Sequence, residues 1–99
     1  MTKPVLIEPE AEADILHAYD WYELQRPGLG IDFALCVEAA LSAIAERPKS
    51  FPKLYKNARR ILINRFPYLL VFVERADLVV VVAVLHGARD PNAWKRRLR

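Results

Sequence analysis

Three apolar segments follow one another closely in the second half of the chain, and they limit what it can fold into. They read RRILIN at residues 59–64, YLLVFVE at 68–74 and LVVVVAVLH at 78–86. All three are rich in the β-branched and aromatic residues that are typical of strands. The connections, RFP and RAD, are short enough for hairpin turns. The segments therefore predict a three-stranded antiparallel meander.

The first half of the chain shows helical periodicity instead. Apolar residues recur at helical spacing over about Pro9 to Arg26 and again over about Leu29 to Arg47. The predicted buried stripes are Ala11, Ile15, Ala18 and Tyr22 in the first helix and Phe33, Val37, Ala40, Leu41 and Ile44 in the second. The sequence PGLG at 27–30 allows a tight reversal between the helices.

The pattern as a whole predicts an α+β fold. A short strand at residues 4–8 precedes the helical hairpin, and the proline-containing segment PKSFPKLYKN at 48–57 is predicted to be a loop. A chain of 99 residues is expected to form a single domain, spanning residues 1–99. The predicted order is thus an N-terminal strand, an antiparallel two-helix hairpin and a three-strand antiparallel meander.

The last predicted strand is apolar on both faces. Leu78, Val80, Val82 and Val84 point to one side, and the alternate residues Val79, Val81 and Ala83 point to the other. Such a strand is expected to be covered on both faces, whereas two helices cover only one face of a small sheet. Either Trp94 and the C-terminal segment fold over the second face, or another protein chain does. Of the two, we favour burial by a partner.

Charge is strongly segregated along the sequence. Residues 1–46 carry two cations and nine carboxylates, whereas residues 47–99 carry thirteen cations and three carboxylates. This segregation predicts a basic face that attracts polyanions or acidic proteins. The alternative is that the two halves fold together and their charges pair.

Several function classes find no support in the sequence. The single cysteine, Cys36, suits a reducing compartment, and the acidic N-terminal sequence is unlike a signal peptide. The apolar run Leu78–Leu85 is too short to span a bilayer. There is no paired Cys/His metal spacing and no nucleotide-binding fingerprint. We therefore expect a cytoplasmic protein without a metal, a cofactor or a membrane span.

Several motifs, in their order and spacing, match one known family. WYELQRPGLG precedes the second helix, RR precedes RFPY, and LHGARDP follows the last strand. Over nearly its whole length the chain resembles the RelE/ParE superfamily of toxins from bacterial type II toxin–antitoxin modules. The resemblance implies a helical hairpin on a curved antiparallel sheet and a role in growth inhibition or plasmid stabilisation. It also implies a cognate antitoxin, commonly with an acidic C-terminal segment that carries apolar anchors and orders as it wraps the toxin.

The superfamily divides by mechanism. ParE-like members bind DNA gyrase and trap it on cleaved DNA, whereas RelE-like members cleave messenger RNA in the ribosomal A site. The LHGARD sequence resembles ParE-like chains. RelE-like chains usually carry a tyrosine or a histidine–tyrosine pair near the C-terminal end, and here no tyrosine follows Tyr68. The resemblance therefore favours a ParE-like inhibitor of DNA gyrase, with a ribosome-dependent mRNA endoribonuclease as the alternative. A third hypothesis is an inert relative or a simple nucleic-acid-binding domain without toxicity.

A nuclease would need a particular set of side chains. Attack by a ribose 2′-hydroxyl requires a base, an acid and cationic stabilisation of the phosphorane-like transition state. If the chain is RelE-like, the candidate catalytic residues are His86, Arg60, Arg65 and Arg89, with the histidine for proton transfer and the arginines for phosphate contact. Candidate binding residues are Lys53, Lys56, Trp94, Lys95, Arg96 and Arg97.

The same residues also have a purely structural interpretation. His86 could simply form a hydrogen bond at the end of its strand, and Trp94 could cover the open sheet face. Arg60 or Arg65 could pair with Asp90 or with a carboxylate of the first helix. Under this interpretation the cations Lys95, Arg96, Arg97 and Arg99 form a solvated tail.

Overall fold

A single sheet with a helical hairpin on one face forms the fold in the computed structural model, which describes residues 2–98. Arg99, one of the predicted tail residues, lies outside the described residues. The elements are β1 (Val5–Ile7), α1 (Pro9–Gln25), α2 (Leu29–Glu46), a 3-10 turn (Pro48–Ser50), β2 (Lys53–Tyr55), β3 (Ala58–Leu62), β4 (Tyr68–Glu74), β5 (Val79–His86) and α3 (Asn92–Lys95). The predicted α+β fold is confirmed. Among residues 2–98, no helix combines the length and the apolar character that crossing a bilayer requires.

The sheet has the strand order β1-β5-β4-β3-β2. β1 pairs with β5 in parallel, and the other neighbouring strands are antiparallel. The prediction that residues 48–57 are a loop is wrong in part, because Lys53–Tyr55 forms the edge strand β2. This strand has only three residues, and pairing with β3 holds it in place.

Glu23 and two glycines build the turn between α1 and α2. Gly28 has a left-handed φ of 90°, which a residue without a side chain adopts freely. A Cβ atom on Gly30 would lie 2.8 Å from the carbonyl oxygen of Tyr19, so only glycine allows the helices to approach so closely. The Glu23 carboxylate accepts hydrogen bonds from the backbone N–H groups of Gly28 at 2.9 Å and Gly30 at 3.0 Å. It thereby satisfies free donors at the start of α2.

The core between helices and sheet follows the predicted stripes. Most stripe residues are buried, and Ile15 and Leu41 are half-buried against the same core. An aromatic cluster fills the end of this core near the turn, and its members are Tyr22, Phe33, Phe66 and Tyr68. The closest pair of rings, Tyr22 and Phe66, has centroids 4.8 Å apart in an edge-to-face arrangement.

A β-bulge in β5 was not predicted. The register between β4 and β5 shifts between Val71 and Phe72, which leaves Val82 without a direct partner. An extra residue reverses the alternation of side chains beyond it. Val84 therefore faces the helices, whereas simple alternation placed it with Val80 and Val82 on the other face. The predicted division of this strand into two faces is wrong beyond the bulge.

The chain's own C-terminal segment covers the outer face, by which we mean the sheet face away from the helices. Trp94 in α3 is only 5% exposed. It packs in one apolar cluster with Ala58, Val71, Val80, Val82, Ala83 and Leu85, and Ala93 and Leu98 add to the cover. The favoured expectation that a partner buries this face is therefore wrong, and the alternative of self-coverage is correct.

Part of the segregated charge is neutralised within the fold. Arg97 lies 2.6 Å from Asp14 and 3.6 Å from Glu10, both in α1. Arg65 lies 3.8 Å from Asp32, which belongs to the second helix and not the first. The two sequence halves thus pair some of their charges, as the alternative interpretation expected.

Glu74 accepts hydrogen bonds from two lysines, and this predicts a pH-dependent stability. Its Oε2 lies 2.8 Å from Lys3 Nζ and 3.1 Å from Lys49 Nζ. The hydrogen bond from Lys3, followed by that from Lys49, lowers the pKa of Glu74. Because the folded pKa lies below the unfolded one, this carboxylate stabilises the fold above the unfolded pKa of about 4.3, and the contribution is lost as the pH falls through the folded value.

We therefore expect Glu74→Gln to be less stable than wild type at pH 7, and the difference to shrink towards zero as the pH is lowered towards about 2. Urea unfolding at a series of pH values measures it. Asp77→Asn, at an exposed position of the same β-hairpin, is the control and should show no such trend. A Glu74→Gln deficit that stayed constant between neutral and acidic pH would contradict the ion-pair interpretation.

Candidate functional site

A cleft of about 650 Å³ lies where β5 ends beside α1. The helix contributes His17 and Trp21 to its wall, and the strands contribute Tyr68 and His86. Arg89, in the turn after β5, completes the rim. We refer to this space as the cleft, and it combines aromatic and cationic side chains.

His86 is exposed at the end of β5, and its ring has a defined partner on each side. Its Nδ1 accepts a hydrogen bond from the backbone N–H of Ala88 at 3.1 Å. A neutral ring held in this way carries its proton on Nε2. Tyr68 lies directly across the ladder in β4, with ring centroids 5.5 Å apart and the rings edge-to-face. The histidine thus has a tyrosine neighbour although none follows it in the sequence.

The bulge is what makes Tyr68 and His86 neighbours. Glu74 pairs with Val79 at the hairpin, so an unbroken register would place Tyr68 opposite Leu85. The extra residue shifts the pairing by one position and brings His86 opposite Tyr68. Sequence reasoning missed this tyrosine, and its position at the start of β4 was the only available signal.

The Tyr68 hydroxyl lies among charges of both signs. Burial raises the pKa of Tyr68, the Arg89 guanidinium lowers it, and the Asp14 carboxylate raises it. Since the net shift is upward, Tyr68 remains a neutral hydrogen-bond donor at physiological pH.

The structure brings together His86 and Arg89, but it places Arg60 and Arg65 elsewhere. Arg60 lies in β3 on the outer face, half-buried, whereas His86 faces the helix side. Arg65 lies in the turn between β3 and β4 with a left-handed φ of 72°, and its ion pair with Asp32 directs it towards α2. The four candidate catalytic residues therefore do not surround one common point.

A basic ridge forms around Tyr55 at the other side of the sheet. The Nζ of Lys95 lies 4.5 Å from the Tyr55 ring centroid, and that of Lys56 lies 5.4 Å from it. We define the basic ridge as Lys56, Lys95 and Tyr55. Of the other candidate binding residues, Lys53 is exposed in the edge strand β2 and Arg96 is exposed beside α3. Trp94 is buried beneath the ridge, with its ring edge-to-face to Tyr55.

Arg97 closes an open edge of the sheet and is not free to contact a ligand. Beyond Val81, β5 has no β1 residue beside it. Arg97 Nη1 donates hydrogen bonds to Asp14 Oδ2 at 2.6 Å and to the carbonyl oxygen of Val82 at 3.0 Å, and Asp14 accepts one from the Val84 N–H at 3.0 Å. The hydrogen bond to Asp14 raises the pKa of Arg97 although burial opposes it. These two side chains thus satisfy backbone groups of the edge and fasten the C-terminal segment to α1.

The helical hairpin exposes large apolar side chains on both of its helices. Leu24 is 84% exposed and Leu35 is 58% exposed, and Leu16 and Ile31 are exposed to a similar degree as Leu35. We call these four residues the hairpin face. All four lie outside the predicted buried stripes. Apolar residues at such positions were the sequence signal for an exposed apolar surface on the helices. Exposed apolar side chains on packed neighbouring helices are a candidate interaction surface.

Comparisons with known proteins agree on one family. Residues 5–91 match the family model described as ParE toxin of type II toxin-antitoxin system, parDE. The chain is 30% identical over 95 residues to Toxin ParE2 of Mycobacterium tuberculosis, a match that covers 94% of this chain and 90% of that protein. A solved structure described as the chromosomal ParDE TA system from P. aeruginosa has a TM-score of 0.76, covering 86% of this chain and 96% of the other. At 13% identity it shows a shared fold.

Proposed function

Because the chain belongs to the ParE toxin family of type II toxin–antitoxin systems, we propose that it arrests growth by binding DNA gyrase. It acts in the cytoplasm, on gyrase engaged with DNA, and without a chemical step of its own. The family also implies a cognate antitoxin that silences it. The observation that carries the proposal is the match of the family model over residues 5–91.

The placement of the cations supports binding over catalysis. A metal-free nuclease needs its base and its phosphate-binding arginines around one reacting group. Here Arg60 and His86 lie on opposite faces of the sheet, and Arg65 is paired with Asp32. The basic ridge instead presents the exposed Lys56 and the half-buried Lys95 beside an aromatic ring, which suits contact with an acidic protein surface or with DNA phosphates.

A supercoiling assay with purified gyrase tests the proposal. We expect the toxin to inhibit supercoiling and to accumulate cleaved DNA. The double variant Lys56→Glu with Lys95→Glu should need at least about tenfold more protein for half-inhibition, because it reverses the ridge charge. Arg26→Glu with Arg47→Glu is the matched control, since it changes the net charge equally at two exposed sites outside the ridge. Intact supercoiling at toxin concentrations well above those that arrest growth would contradict gyrase as the target.

A second candidate function is ribosome-dependent cleavage of messenger RNA. The observation that favours it is the His86–Tyr68 pair, which resembles the histidine–tyrosine pair of RelE-like nucleases although it is assembled across a β-hairpin. Induction in a sensitive bacterium separates the two. Filamentation and an SOS response, with His86→Ala as toxic as wild type, favour gyrase. Rapid arrest of translation with cut messages, abolished by His86→Ala, favours the nuclease.

The antitoxin is proposed to dock on the hairpin face. The outer sheet face is already covered by the C-terminal segment, whereas Leu24 and Leu35 are exposed on the helices. Although residues 1–46 carry nine carboxylates, an acidic antitoxin segment would meet favourable charge at the turn end of the hairpin, where exposed Arg26 and Arg65 lie. An amphipathic segment on this face would bury apolar anchors between two helices, which is a common mode of peptide recognition.

A further inference from the structure

We propose that the cleft binds a nucleotide, with its base against the aromatic wall and its phosphate at Arg89. The proposal stands on the cleft itself and does not require gyrase to be the target. A free nucleotide carries such a base and phosphate, and so does an unpaired nucleotide within a DNA strand.

The cleft has the size and the lining of a ligand site. Its volume of about 650 Å³ falls within the usual range of small-molecule pockets. Trp21 is 56% exposed, yet its ring is held edge-to-face against the buried Tyr22, with centroids 5.1 Å apart. An exposed indole whose ring packs against a buried ring offers a fixed platform on which a flat ring stacks. Tyr68 and His86 provide a second pair of supported rings across the cleft.

The polar groups of the cleft favour an anion beside that flat ring. Within residues 2–98, Arg89 forms no ion pair. Asp14, the carboxylate in the wall, is already paired with Arg97 at 2.6 Å. Arg89 is therefore the unpaired charge of the cleft, and a guanidinium matches a phosphate in two parallel hydrogen bonds.

Only a ligand that carries both a flat ring and an anionic group contacts both the aromatic wall and Arg89. An apolar side chain would contact Trp21 and leave Arg89 and the two histidines unused. Inorganic phosphate would contact Arg89 and leave the aromatic wall empty. A nucleotide stacks its base and places its phosphate at the guanidinium, while His17 and His86 supply polar ring nitrogens at the edge of the base.

Titration of the purified toxin tests the proposal, with three probes: AMP, a single-stranded DNA oligonucleotide and inorganic phosphate. Binding is followed by calorimetry and by quenching of Trp21 fluorescence, with the buried Trp94 as an internal reference. We expect AMP or the oligonucleotide to bind with a Kd of about 10–100 μM. Binding of AMP identifies a free nucleotide as sufficient, and binding of the oligonucleotide alone identifies a base within a strand.

Variants assign the binding to the cleft. Arg89→Ala and Trp21→Ala should each weaken it by at least about tenfold, and Trp21→Phe should keep most of it because an aromatic platform remains. Arg47→Ala and Leu62→Ala are matched controls, since both positions are exposed and lie outside the cleft. Four results would overturn the proposal: no binding below about 1 mM, equal competition by inorganic phosphate, an equal loss in Arg47→Ala, or a loss in Trp21→Phe as large as in Trp21→Ala.

Discussion

A toxin in which Leu24 and Leu35 are both replaced by glutamate is expected to remain toxic and to escape its antitoxin. Both side chains are exposed, so the free toxin should lose little stability. In the complex, each glutamate would be buried against apolar anchors without a partner, and each would repel an acidic antitoxin segment. We expect the affinity for the cognate antitoxin to fall at least about a hundredfold.

Two measurements check this prediction. Growth on co-expression with the cognate antitoxin reports neutralisation, and titration of the purified proteins reports affinity. Leu62→Glu is the matched control, because Leu62 is 63% exposed and lies at the end of β3, away from the helices. If the double variant is still silenced, or if Leu62→Glu escapes as readily, the antitoxin docks on a different surface.

The elements that could be predicted from the sequence are those long enough to show a periodic pattern of apolar residues. The first helix was expected over Pro9 to Arg26 and spans Pro9–Gln25, because its apolar stripe and its first-turn proline are local signals. β2 and α3 have three and four residues, too few for a periodic pattern. Pairing with β3 holds β2 in place, and burial of Trp94 holds α3 in place. Such elements depend on tertiary contacts that sequence patterns do not contain.

The candidate site was predictable only in its composition. His86 and Arg89 are three positions apart, so their proximity follows from the sequence. The side of the sheet that each residue faces depends on strand register, and one bulged residue decides that His86 meets Tyr68. The contact between Arg97 and Asp14 joins positions 83 residues apart, and neither end signals it. Arg97 therefore looked like a binding residue, whereas the structure uses it as a structural one.

Asp14→Ala is expected to lose about 3 kcal/mol of unfolding free energy. The substitution leaves the Arg97 guanidinium, which is 17% exposed, with Glu10 at 3.6 Å as its remaining carboxylate and the Val82 carbonyl oxygen as its remaining close acceptor, and it leaves the Val84 N–H without its acceptor. For a chain of this size the loss corresponds to a fall in Tm of roughly 15 °C. Urea unfolding and thermal unfolding measure both quantities.

A double-mutant cycle decides whether the ion pair itself is responsible. Arg97→Ala should also destabilise, and the double variant should cost less than the two single variants together, because each single change leaves the other charge unpaired. Glu12→Ala, at an exposed position of α1, is the control and should stay within about 0.5 kcal/mol of wild type. Since the pair fastens the segment that covers the outer face, the single variants should also expose Trp94 and self-associate at high concentration. Strict additivity in the cycle, or single variants that remain monomeric with Trp94 buried, would show that the apolar packing of α3 closes the outer face without the ion pair.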